Sequence, residues 1–183
     1  MKKDTRELLL NSAYDTFYKF GYQGSNIASI LQNVGINKGS MYHLFKSKKE
    51  LGLAVVDERI RKNLIYKYNT VLESNYPFDS LFLALLQAPE LLKYGCPLNK
   101  MSQEMTYIDS DFSKILSSVY SDFEDLIQKI LSKAIDLHQL KSQNTSSSAK
   151  FIIASYEGAL MIYHLNQNKD YYKETIKRLQ NSF

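Results

Sequence analysis

Residues Ser25 to Glu50 read SNIASILQNVGINKGSMYHLFKSKKE, and the fold turns on them. Ser25 is expected to cap a short helix whose apolar stripe is Ile27, Ile30 and Leu31. Asn33-Val34-Gly35 interrupts that stripe, and the glycine supplies the backbone freedom a sharp turn needs. Asn37 is a good cap for a second helix running through Lys38, Gly39, Ser40, Met41, Tyr42, His43, Leu44 and Phe45. Met41 and Phe45, four apart, face inward, which leaves Lys38, Ser40, Tyr42 and His43 on other faces. Ser47-Lys48-Lys49-Glu50 has the spacing of a capping box and starts the next helix. Two short helices joined by a glycine turn, the second carrying hydrogen-bonding side chains, form the helix-turn-helix pattern.

Working outward, Leu10, Ala13 and Phe17 share one face of a first helix from about Asp4 to Phe20, which Gly21 can end. A fourth helix opens at Ser47 and meets no breaker before Pro77. Leu51, Ala54, Val55, Glu58, Leu64 and Tyr68 make no single clean stripe, as expected of a connector between two packing units. Pro77 fits the first turn of a fifth helix, which runs to about Tyr94 with a kink or break at Pro89. Gly95-Cys96-Pro97 is a turn, a short helix comes next over Leu98 to Met105, and a long one spans about Asp109 to His138. Lys141 to Ser148 is a serine-rich loop. No alternating strand pattern persists and glycine and proline are few, so the fold class is all-α.

Ser147 to Asn166 is apolar nearly all round, and such a helix must be covered on both sides. Ser155, Gly158 and Ala159 are small enough to admit another helix closely. A final helix, about Asp170 to Asn181, places Tyr172, Ile176 and Leu179 on one face. Either the chain is a homodimer whose interface includes Ser155, Gly158, Ala159, Ile162, Ile176 and Leu179, or the helix is wholly internal to a monomer.

The net charge of +4 is unevenly placed: residues 1–63 carry +5 and the remainder −1. A basic N-terminal part beside a near-neutral larger part suits a polyanion partner. The single cysteine, Cys96, excludes an intramolecular disulfide and points to a reducing, cytoplasmic setting. No stretch approaches the about 20 apolar residues of a membrane span, and the apolar run near the N-terminus is too short for a signal peptide. The three histidines are scattered, with no Cys or carboxylate at metal-ligand spacing. There is no phosphate-binding glycine loop and no nucleophile elbow. No catalytic residue, metal or cofactor is therefore expected, and the chain is not read as an enzyme.

The N-terminal third resembles the TetR/AcrR-type bacterial transcriptional regulators. Leu9-Leu10, Ala13, Phe17 and Phe20-Gly21-Tyr22 match the first helix of that family. Ser25-Asn26-Ile27 and Ile30 match its second. Val34 to His43, Phe45, Ser47-Lys48 and Glu50-Leu51 match its recognition helix and the residues just after it. The resemblance spans about residues 6–55. Ala28 and Ser29 stand where a basic and an acidic residue are frequent, and Leu44 where an aromatic or histidine is usual.

The resemblance implies a helix-turn-helix DNA-binding domain over 1–46, a connecting helix over 47–76, and a larger helical ligand-binding and dimerisation domain over 77–183. Lys38, Ser40 and His43 are the candidates for base edges. Tyr42 and Lys48 match positions that touch phosphate, Ser25 is a further candidate, and Gly39 belongs to the same surface. The expected partners are a double-stranded operator, a second copy of the chain and an unidentified small-molecule effector, with no membrane. Leu85, Cys96, Met101, Met105, Tyr107 and Tyr156 are the candidates to line the effector cavity. Cys96 is either a redox sensor or a small packing residue. The function implied is a ligand-responsive dimeric regulator, a repressor released by its effector. The alternatives are a constitutive DNA-binding protein, or a ligand-binding protein that no longer binds DNA.

Overall fold

The computed structural model describes residues 2–87 and 89–183, apart from the side chains of 2–4, 89 and 90. Among the described residues the elements are all helical. In order they are α1 (Lys2–Phe20), α2 (Ile27–Gln32), α3 (Lys38–Leu44), α4 (Lys48–Val55), a π-helical segment (Val56–Arg61), α5 (Lys62–Glu73), α6 (Pro77–Leu86), α7 (Pro89–Tyr94), α8 (Pro97–Met105), α9 (Ser110–Asp136), α10 (Thr145–Asn166) and α11 (Lys169–Gln180).

The chain forms two compact units. The first runs to Asn63 and takes up Pro97–Val119; the second is Leu64–Cys96 with Tyr120–Phe183. This differs from the expected division, in which everything from residue 77 belongs to one C-terminal domain. The reason lies in α8: its Met101 and Met105 are buried and its Lys100 and Glu104 bond to the end of α1 and the loop beyond it.

In the first unit Leu9, Leu10, Ala13 and Phe17 of α1 are buried together with Ile30, Met41, Phe45, Leu51, Val55 and Val56. Burial of a side chain of this size stabilises by roughly 1.5–3 kcal/mol. The core therefore fixes how the short helices sit on α1. Val55 and Val56, adjacent in sequence, are both inaccessible, and Ile60 is buried as well. Such adjacent pairs are ordinary on an amphipathic helix, where apolar positions recur at intervals of three and four. Beyond them the wider turn of the π-helical segment slips the phase of the stripe.

The second unit is built on α6, the C-terminal part of α9, α10 and α11. Leu81, Phe82, Leu85, Phe123, Ile127, Ile130, Ile152, Tyr156, Leu160, Tyr172 and Ile176 form one apolar cluster. The Tyr172 hydroxyl donates to the Leu85 carbonyl at 2.6 Å and ties α11 to α6. Pro77 opens α6 as expected. That helix stops at Leu86 and Pro89 begins α7, because a proline inside a helix lacks the amide the ladder needs.

Candidate nucleic-acid interface

The helix-turn-helix is held by side chains that cap its ends. Asn37 Oδ1 accepts from the Ser40 amide at 2.8 Å and starts α3. Ser47 Oγ accepts from the Glu50 amide at 3.0 Å, and the Glu50 carboxylate accepts from the Lys46 amide at 2.6 Å. This is the capping-box exchange moved one residue upstream of the usual partner. Gly35 takes φ +64° in the turn between α2 and α3. The Ser12 hydroxyl donates to the Ile30 carbonyl at 2.8 Å and pins α2 to α1.

On α3, Met41 and Phe45 are buried. Lys38, Gly39, Tyr42 and His43 are exposed and Ser40 is half-buried, so five candidates lie on or near one accessible helix surface. With Asn37 closing one end of that helix, its first residues and its exposed face are both open to a flat polyanion.

Ser25 and Lys48 do not join them as expected. Ser25 is only 7% exposed, and its hydroxyl donates to the carbonyls of Gly21 at 2.5 Å and Thr16 at 3.3 Å. The cap of α2 is instead Asn26, whose side chain accepts from the Ser29 amide at 2.8 Å. The connection after α1 has carbonyls to satisfy, and the short Ser25 hydroxyl reaches them by turning inward. Lys48 also turns inward. Its ammonium donates to the Ser25 carbonyl at 2.6 Å and lies 4.5 Å from the centre of the Tyr22 ring. Burial lowers its pKa and the Glu104 carboxylate opposes that shift.

Lys100 and Glu104 are not among the candidate site residues read from the sequence. Their four-residue spacing, a lysine and a carboxylate one turn apart, was the available signal. Lys100 donates to the Tyr18 carbonyl at 2.6 Å, and Glu104 accepts from the amides of Tyr22 at 3.2 Å and Gln23 at 2.7 Å. Lys49 pairs with both Asp109 and Asp111 at 2.7 Å.

The six candidates for an effector cavity are divided between the two units. Leu85 and Tyr156 belong to the core of the second unit, against which Cys96 packs half-buried. Met101 and Met105 are buried in the first unit, and Tyr107 is 96% exposed. A tyrosine in a turn needs neighbours to line anything, and this one has solvent. The Tyr156 hydroxyl, on a side chain 1% exposed, has no hydrogen-bond partner among the described residues. Burial pushes its pKa well up, so it stays a neutral phenol. No three His, Cys, Asp or Glu side chains gather as a metal ion requires among the described residues.

The interface candidates divide as well. Ala159, Ile176 and Leu179 fill the protomer's own core. Ser155, Gly158 and Ile162 remain half-buried on α10, beside exposed Phe151, Ala154, Met161 and Leu165. Among the described residues no helix is long and apolar enough to cross a membrane.

Comparison with known proteins agrees with this architecture. Residues 9–55 match the family described as bacterial regulatory proteins, tetR family. Residues 80–179 match the tetracyclin repressor-like C-terminal domain. An HTH-type transcriptional regulator from the lacX 3′ region of Lactococcus lactis subsp. lactis is 30% identical over 187 residues, covering 99% of this chain and 94% of that one. The HTH-type transcriptional repressor DhaR of Mycobacterium sp. strain GP1 is 22% identical over 170 residues, covering 90% and 85%. A solved TetR-family regulator from Agrobacterium tumefaciens superposes with a TM-score of 0.86 at 16% identity, covering 100% and 99%, and so shares the fold. With its helix-turn-helix region and its C-terminal half each matching, the chain belongs to the TetR family of bacterial transcriptional regulators.

Proposed function

We propose that the protein is a cytoplasmic, homodimeric repressor that leaves a pseudo-palindromic operator when a small molecule binds its C-terminal unit. The observation that carries this reading is the surface of α3. Its apolar side is closed by Met41 and Phe45, and Lys38, Ser40, Tyr42 and His43 stand on the accessible side. A helix so oriented enters the major groove, where Lys38, Ser40 and His43 read base edges and the Tyr42 hydroxyl bonds phosphate.

The reading of two-fold symmetry rests on α10. Phe151, Ala154, Gly158, Met161 and Leu165 recur at intervals of three and four, which makes one stripe along the helix, and none of them is buried in the protomer. An apolar stripe of that length is a partner surface, and a second copy supplies the same stripe. The reading of an effector site rests on the match of residues 80–179 to the tetracyclin repressor-like C-terminal domain. The effector must bind the DNA-free arrangement more tightly than the DNA-bound one.

The test is retardation of DNA from upstream of the protein's own coding sequence, with and without cell extract. Specific binding that extract abolishes is the expected result. Specific binding unaffected by any extract would identify a constitutive DNA-binding protein instead. No specific binding would remove the repressor reading.

A further inference from the structure

The span Gly21 to Ser25 joins α1 to α2, and side chains from outside both helices hold it. Lys100 and Glu104 lie one turn apart on the same side of α8. The Lys100 ammonium reaches the Tyr18 carbonyl, one of the last four of α1, which have no amide of their own helix to accept from. The Glu104 carboxylate takes the amides of Tyr22 and Gln23, both outside any helix. From the other side Lys48 holds the Ser25 carbonyl.

Charge ties the three side chains to one another. Glu104 favours the ammonium form of both Lys48 and Lys100 against the cost of their burial. The backbone is shaped to admit the carboxylate. Gly21 has φ +79°, and a Cβ at that position would lie 2.5 Å from Glu104 Oε1. A side chain there would therefore meet both backbone strain and the carboxylate itself. The Gln23 side chain adds a contact to Met105 Sδ at 3.3 Å.

We propose that Lys100 and Glu104 form a latch through which α8 sets the placement of α2 and α3 on α1. Glu104 is the positioning residue of that latch, and it acts on DNA binding without touching DNA. The inference rests on the reading of α3 as the DNA-contacting helix, and it adds where regulation enters. Any displacement of α8 withdraws two hydrogen-bond acceptor oxygens and one donor from the α1–α2 connection at once. The chain leads straight into α8 from Cys96, the last residue of the second unit before the crossing.

The experiment uses the full-length protein and the variants E104A, E104Q, K100M and Q103A. Gln103 is exposed and, among the described residues, bonds only within α8, to Asn99, and so serves as the control. Amide hydrogen exchange without DNA is the first readout. E104A is expected to speed exchange at Tyr22, Gln23 and through α2 and α3 by roughly tenfold or more, while amides of α10 and α11 are unchanged. E104Q keeps one acceptor oxygen and should fall between E104A and the parent. K100M should act in the same direction, and Q103A should do nothing. The second readout is affinity for the upstream duplex across a salt series. E104A should bind about tenfold more weakly with an unchanged salt slope, since no phosphate contact is lost. Parental exchange throughout α2 and α3 in E104A would overturn the latch, and so would parental DNA affinity. If the parent protein itself fails to bind DNA, the DNA-binding reading falls alone, because the exchange measurement still decides the latch.

Discussion

Lys48 and Tyr42 occupy positions that the family resemblance assigns to the same task, and the structure separates them. The Tyr42 hydroxyl stands on an exposed side chain of α3. The Lys48 ammonium is engaged with the Ser25 carbonyl and the Tyr22 ring. Removing a phosphate-bound cation lowers the salt slope of binding by about 1, whereas removing an internal brace does not. Lys48→Ala should therefore weaken binding to every DNA sequence and leave the slope of log affinity against log salt unchanged. Titrations between low and moderate salt check this, and a slope reduced by a full unit would restore Lys48 to the phosphate contacts. Tyr42→Phe should also weaken all sequences alike, because a phosphate contact carries no base information. A changed base preference at one operator position would contradict that assignment. The identity of the α3 surface was legible because a four-residue apolar spacing fixes which faces remain. The direction of Ser25 and Lys48 was not, since a serine hydroxyl and a lysine stem each serve an exposed or an inward partner equally well.

Helix α1 and the π-helical segment are joined by charge as well as by packing. Arg6 donates to both carboxylate oxygens of Glu58, one of them at 2.8 Å, and its guanidinium lies 5.1 Å from the centre of the Phe45 ring. Arg59 adds bonds to Glu7 at 2.6 Å and Asn11 at 2.7 Å. The hydrogen bond from Arg6 holds the Glu58 pKa below its ordinary 4.5. A carboxylate whose folded pKa is depressed binds its proton more readily when unfolded. Its contribution is therefore present above pH 4.5 and is lost as pH falls through the folded value. The pair is partly solvated, so the effect is modest. Arg6→Met should have a lower melting temperature than the parent at pH 7, and the gap should narrow from about pH 4.5 downward. A gap constant from about pH 7 to about pH 3 would show that the loss is one of packing on Phe45. Element boundaries were readable where a cap or proline marks them, as at Asn37, Ser47 and Pro77. The π-helical segment was visible in sequence only as a stripe that lost its phase, because period 3.6 is the assumption under which a stripe is sought.

For the molecule as a whole, the sequence showed in Ser147–Asn166 a helix with more apolar surface than one core needs, but not which residues face which way. Tyr172, Ile176 and Leu179 look like a partner face on α11 and are in fact the lid of the protomer's own core. A helix that is apolar over most of its girth, as α10 is, packs in several registers, and only tertiary contacts choose among them. The outer stripe of α10 is what remains, and Leu165 at its end is 79% exposed. Gly158 lies at the middle of that stripe, and a Cβ there would meet nothing within 4 Å in the protomer. Gly158→Arg is therefore an unusually clean test. Within one chain it introduces no clash, and exchanging glycine for arginine in a helix interior favours the helix by several tenths of a kcal/mol, up to about 1. A second copy seated on the stripe would instead have to accommodate a long side chain and bury a guanidinium with no counter-charge, at a cost of several kcal/mol. The variant should keep the parental helical circular dichroism and a melting temperature no lower than a monomer allows. It should sediment as a single chain at micromolar concentration and lose affinity for a two-half-site duplex far more than for a single half-site. A Gly158→Arg protein that sediments as a dimer and grips the full duplex like the parent would place the two-fold axis elsewhere on the molecule.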